Sequence, residues 1–184
     1  NHNIRRIRHH YGQDIIVDNF EKPGNKNLLG GDFGAFADQD SLGYCYLFFV
    51  ENKEVAKTGN NKYSLFIQWD TAKKGAYSGY WTDLKHLNLE DFNYLSFIVK
   101  GTKGGEKFKV GLRGKKDAAY ESKIMITDIL SKGVTTAWEK VIIPIKQFTS
   151  IQDWKDINIL SINFENTFGS GKGSIIIDNI SFEK

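Results

Sequence analysis

Residues whose types could do covalent chemistry are few and poorly spaced for it. The single cysteine, Cys45, lies in the apolar run YCYLFF, where a buried small hydrophobe is its expected state. Three of the four histidines, His2, His9 and His10, crowd the first ten residues, and His86 stands alone. No histidine-based metal site or triad therefore assembles from the rest of the chain. The patterns GxSxG, HExxH, P-loop and CxxC do not occur. Acid–nucleophile work needs two carboxylates on one face. Asp38 and Asp40 sit in loop sequence, and the adjacent Glu90 and Asp91 would point to opposite faces if extended. The chain therefore reads as non-catalytic. A binding set remains: Gln68, Arg113, Lys123, Asn163 and Glu165 on the wet side of alternating segments, with Tyr80, Trp81 and Tyr120 near their ends. Trp69 and Trp81 also suit a core.

The elements that must position this set are strands. The runs DIIVDNFE, YCYLFFV, YSLFIQWD, YLSFIVKG, KFKVGLRG, SKIMITD, WEKVIIPI, ILSINFE and SIIIDNISF are rich in β-branched and aromatic residues, which suit a pleated surface. Several alternate. Phe108, Val110 and Leu112 oppose Lys107, Lys109, Gly111 and Arg113, while Leu160, Ile162 and Phe164 oppose Ser161, Asn163 and Glu165. Such a period of two means one buried and one wet face. Turn chemistry separates the runs, as in PGN at 23–25, TGNN at 58–61, GTKGG at 101–105 and GSGKG at 169–173. Pro144 inside WEKVIIPI calls for an edge or terminal position, because proline cannot donate to a ladder. Helical signal is limited to a turn or two in Thr82–Leu89 and Lys146–Trp154. Many short strands without βαβ alternation predict an all-β sandwich of the jelly-roll kind, with two antiparallel sheets.

Composition agrees with one domain. The chain has 184 residues, 40% hydrophobic and 14% aromatic, enough for a core without staples. One cysteine excludes an internal disulfide. The net charge of +3 is too mild for a nucleic-acid partner, and its excess lies in Arg5, Arg6, Arg8, His9 and His10. Residues 1–12 read as a basic linker or arm and 13–184 as the folded domain. No run of about 18 apolar residues exists to span a membrane. The chain does not begin with Met and is taken as a piece of a longer polypeptide.

Several motifs together resemble a known family. VDNFE, LLGGDFGAF and SGYWTDL, followed by WEKVIIPIKQF and INFENTFGSGKGSIIIDNISFEK, are similar in order and spacing to carbohydrate-binding modules of the galactose-binding-like jelly-roll fold. The nearest kind is family 11, found on bacterial β-glucanases, and complex-I intermediate-associated-like domains share much of the frame. The resemblance covers Asp14 to Lys184. It implies β-glucan binding in a concave cleft, where aromatic faces stack on apolar sugar C–H surfaces. The tyrosine of GYW falls on Tyr80, and the aromatic after the first strand on Phe33 or Phe36. The aromatic expected after INF is Asn166 here, and the Arg-x-Asp-Tyr cluster is replaced by Gln152, Asp153 and Trp154.

The resemblance also implies a structural calcium ion tying the first strand to the last. Glu21 and Asp178 match its side-chain ligands, with Asp40 or the carbonyls of Asn25–Asn27 completing the shell. An acid within SIIIDNI also needs a partner on chemical grounds. The expectation is a secreted or cell-surface module, bacterial and attached to a glycoside hydrolase. It binds β-linked polysaccharide through Gln68, Tyr80, Trp81, Arg113, Tyr120, Asn163, Glu165 and Phe36, with other domains of the parent chain as partners. The alternatives are a structural or protein-interaction sandwich and a small glycan-active enzyme.

Overall fold

The computed structural model describes residues 13–51, 62–115, 121–169 and 171–184; the arm expected at 1–12 lies outside them. Among the described residues the chain runs through eleven strands. They are β1 (Ile15–Asp18), β2 (Phe33–Ala37), β3 (Tyr44–Glu51), β4 (Tyr63–Asp70), β5 (Tyr77–Leu87), β6 (Tyr94–Gly101), β7 (Lys109–Gly114), β8 (Ser122–Met125), β9 (Glu139–Pro144), β10 (Ile157–Glu165) and β11 (Lys172–Glu183). All pairings are antiparallel and build two sheets. One has the order β3-β4-β11-β6-β9 with β1 also paired to β11; the other has the order β2-β5-β10-β7-β8. The jelly-roll expectation of two antiparallel sheets is met.

Strand alternation builds the core. Leu65, Ile67 and Trp69 of β4, Leu95, Phe97 and Val99 of β6, and Ile175 and Ile177 of β11 are buried from one sheet. Val110 and Leu112 of β7 and Leu160, Ile162 and Phe164 of β10 are buried from the other. The Trp69 indole lies flat on the Phe164 ring, with centroids 3.9 Å apart and planes 7° off parallel. This contact joins the sheets through two large apolar surfaces. Cys45 is buried as expected, and burial pushes its thiol up to about 12. Pro144 closes β9, an edge strand, where its missing N–H costs no ladder bond.

Two strands differ from the sequence reading. β2 and β5 were not among the predicted runs, and Thr82–Leu89 was expected to hold a helical turn. Residues 82–87 belong instead to β5, which bends where Lys85 and His86 take positive φ of 54° and 59° opposite a register shift in β10. The inward residues of β5 include Ser78 and Thr82, so no clean hydrophobic alternation marks the strand. The second expected helical stretch shrinks to one 3-10 turn at Ile145–Gln147.

Truncating Trp69 to Ala removes one half of the inter-sheet stack. Urea unfolding should show a loss of about 3–5 kcal/mol, in the range for buried aromatic deletions; a loss below about 1 kcal/mol would show that the stack does not hold the sheets together.

Candidate functional site

The outward face of the five-stranded sheet carries a groove of ≈ 670 Å³. Register places its residues in rows. Gly34 pairs with Trp81, Trp81 with Ser161, Ser161 with Gly111, and Gly111 with Lys123. In the next row Phe36 pairs with Gly79, Gly79 with Asn163, and Asn163 with Lys109. Tyr77 faces Glu165 beyond them. Three glycines thus lie on the floor, and each leaves space that a neighbour uses. A Cβ on Gly79 would fall 2.6 Å from Cζ of Phe36, and one on Gly34 would fall 3.3 Å from the Trp81 indole. One on Gly111 would fall 2.9 Å from Oε2 of Glu121 and would also collide with the Ser161 hydroxyl. The rings therefore lie across the sheet instead of standing off it.

A polar network runs beside the rings. The Ser161 hydroxyl donates to Oε2 of Glu121 at 2.9 Å, and the Asn163 amide donates to Ser161 Oγ at 2.8 Å and to the Lys109 carbonyl at 3.3 Å. Lys123 stands 3.9 Å from Glu165, each about one-third exposed. Beyond Arg113 and Ile159 a second hollow of ≈ 390 Å³ continues the groove, with His86 Nδ1 2.7 Å from Asp156. Half-buried rings beside an amide, hydroxyls and two charges of each sign (Arg113 and Lys123, Glu121 and Glu165) can stack on and hydrogen-bond a hydroxyl-rich ligand with apolar faces.

Phe36, Trp81, Arg113, Asn163 and Glu165 are brought together in this groove. Tyr80 is not. Adjacent residues of a strand face opposite ways, so with Trp81 in the groove Tyr80 points between the sheets. It is fully buried against Phe33 at 6.0 Å and Phe20 at 6.5 Å, and its assignment as a stacking platform is corrected. Gln68 is exposed on β4, in the other sheet, and does not line the groove. Tyr120 lies outside the described residues. Tyr77, 42% exposed, and Glu121 line the groove unforeseen. Tyr77 shares the parity of Trp81, which would have found it once β5 was recognised as a strand.

The acids expected to bind metal are only partly gathered. Asp178 is fully buried, and its Oδ2 accepts from the Ser64 hydroxyl at 2.8 Å and its Oδ1 from the Asn179 amide at 2.8 Å. Burial pushes its carboxyl up to about 6; those two bonds pull it down, and the charges of Glu21 and Asp18 add to the rise. Both oxygens of Glu21 accept backbone amides, from Lys62 at 2.8 Å and Tyr63 at 3.0 Å. Asp40 is exposed in the turn after β2 and is not among the charges acting on Asp178. The acid that does act on Asp178 besides Glu21 is Asp18, which sequence reasoning passed over. Asp18 is also raised to about 6 by burial, against the amides of Phe20 and Asn19, and its Oδ2 is buried without a hydrogen-bond partner. Among the described residues no group of three or more His, Cys, Asp or Glu side chains is arranged to hold a metal.

The chain belongs to a family of carbohydrate-binding modules: the model of carbohydrate binding domain 30 matches residues 36–184. Its fold is that of a family 30 module of a cellulosomal cellulase of Clostridium thermocellum, at 18% identity over 94% of this chain and 98% of that one, with a TM-score of 0.64. A family 11 module from the same organism, in complex with a β-1,3-1,4-mixed-linked tetrasaccharide, shares the fold at 13% identity over 92% of this chain and 95% of that one, TM-score 0.66. A β-1,2-glucanase from Parabacteroides distasonis matches 94% of this chain with 25% of its own, at 13% identity and TM-score 0.63. None of the curated proteins matches the chain.

The raised carboxyls set a pH dependence. A folded-state value above the unfolded one favours the protonated form, so stability falls as pH rises from about 4 through about 6. In chelator, the melting temperature of the wild type should therefore drop below that of an Asp18→Asn variant over this window and stay below it above. A gap that does not change with pH would contradict the assignment.

Proposed function

We propose that this domain binds β-linked, glucan-like polysaccharide in the groove of the five-stranded sheet and holds an attached enzyme near its substrate. The supporting observation is that Trp81 and Phe36, in neighbouring rows, lie over glycines and are edged by Arg113, Asn163 and Glu165. Aromatic faces take the apolar side of each sugar ring while amide, guanidinium and carboxylate groups bond its hydroxyls. The mixed-linkage tetrasaccharide held by the family 11 relative makes β-glucan the first ligand to test. The glucanase that carries the same fold in a quarter of its length supports attachment to a catalytic domain. Such a tether raises the local concentration of enzyme on polymer. Binding of this kind suits a parent protein that works outside the cell or on its surface. It needs no catalytic step from the domain, whose Glu121 is held by Ser161 and whose Glu165 faces Lys123.

We further propose a structural calcium ion held by Asp18 and Asp178, with loop carbonyls completing its shell. Two acids whose carboxyls burial raises, Asp178 also feeling the charge of Asp18 and Asp18 keeping an unpartnered buried oxygen, fit a hard cation. When bound, the ion supplies the positive charge these acids lack. Asp18 and Asp178 would then join β1 to β11, which carry them.

Native affinity electrophoresis against mixed-linkage β-glucan tests the groove. The wild type should be retarded, and Trp81→Ala and Phe36→Ala should each weaken binding about tenfold or more, equivalent to roughly 1.4 kcal/mol. Tyr80→Phe should bind within about twofold of wild type. Loss in Tyr80→Phe with retention in Trp81→Ala would reverse the assignment of faces. For the ion, chelation should lower the melting temperature and calcium restore it. An unchanged melt in chelator, with no metal found by elemental analysis, would remove calcium from the account.

A further inference from the structure

The outward side of the six-stranded sheet has an unexplained feature. On its edge strand β3, alternate positions hold Tyr44, Tyr46 and Phe48, which are 40%, 54% and 48% exposed. Residues two apart on a strand are about 6.6 Å apart, so three aromatic side chains stand in file along one edge. Tyr44 and Tyr46 lean together with centroids 4.9 Å apart, and Phe48 rests on Phe66 at 6.2 Å. The rings thus brace one another on the protein surface. An exposed apolar edge strand is an aggregation liability that proteins usually blunt with charge, yet no outward position from Tyr44 to Phe48 carries one.

We infer that Tyr44, Tyr46 and Phe48 form a second sugar-stacking platform, which takes neutral polysaccharide on the face opposite the groove. This rests on the proposed glycan function and extends it to a second site. The flanking chemistry selects the ligand. Across the sheet Tyr46 is paired with Gln68, and Gln68 with Ser174, whose hydroxyl lies 2.8 Å from that of Thr102. Tyr44 is paired with Asp70 and Asp70 with Lys172, so opposite charges face each other and the strip suits a neutral ligand. Rings beside an amide and hydroxyls repeat the uncharged part of the groove's lining. The strip also starts near the groove's end: a Cβ on Gly43, next to Tyr44, would fall 2.9 Å from the carbonyl of Tyr77, which lines the groove. Two platforms on one rigid sandwich would engage two strands of a polymer matrix at once, with the gain of linked sites. The exposed Gln68, foreseen as a sugar contact, finds its place here.

The test uses insoluble amorphous cellulose for the platform and the soluble mixed-linkage tetrasaccharide for the groove. Tyr44→Ala/Tyr46→Ala, which alters exposed side chains, should lower retention on cellulose by roughly three- to tenfold, the loss expected for aromatic stacking. Its calorimetric affinity for the tetrasaccharide should equal the wild type's. Trp81→Ala should lose the tetrasaccharide yet keep residual retention on cellulose, which the added tyrosine substitutions abolish. Unchanged retention in the double tyrosine variant overturns the platform while leaving the groove intact. A wild-type dimer in sedimentation that the tyrosine substitutions disperse also overturns it, marking the face as a contact between copies. No binding of either probe by the wild type overturns both readings.

Discussion

The groove exists because three positions in its sheet lack a side chain. At Gly34, Gly79 and Gly111 a Cβ would meet the Trp81 indole, the Phe36 ring and the Glu121–Ser161–Asn163 network. Glycine weakens a strand interior, so this sheet gives up local strand stability in β2, β5 and β7 to let rings lie down. The opposed sheet and the Trp69–Phe164 stack hold these weakened strands in register. The rows of rings and amides follow from that floor.

Parity then assigns every neighbouring residue. Along β5 the outward positions are Tyr77, Gly79, Trp81 and Asp83, and the inward ones are Ser78, Tyr80, Thr82 and Leu84. One face can read a ligand while the other fills the core. The same rule sends Trp69 inward and leaves Gln68 on the opposite side of the molecule. Charge is treated differently on the two sides of the protein. In the groove both signs of charge stand side by side, with Glu121 held by Ser161 and Glu165 facing Lys123, whereas Asp18 and Asp178 are acids buried on the other sheet, with Asp18 adding to the cost of ionising Asp178.

Most of the framework was legible in the sequence. Runs such as KFKVGLRG and ILSINFE alternate so cleanly that their buried and wet faces could be assigned residue by residue, and Arg113, Asn163 and Glu165 came out on the side of the groove. The aromatic half was harder to read. β5 buries Ser78 and Thr82 beside Tyr80 and Leu84 and leaves Trp81 half-exposed on the other face, which blurs the usual pattern, so the strand was missed and its parity with it. Resemblance then pointed to Tyr80, one residue from the ring that lines the groove. Asp18 was invisible for a different reason: its part depends on a bulge between β1 and β11, and no local pattern announces that long-range pairing.

The most direct test of the groove as the ligand site is a ¹⁵N-resolved NMR titration with the mixed-linkage tetrasaccharide. The account predicts that the largest shifts fall on the Trp81 indole, the amides of Gly79 and Gly111, and the side-chain amide of Asn163. Shifts confined to the opposite sheet, or none at saturating tetrasaccharide, would contradict it.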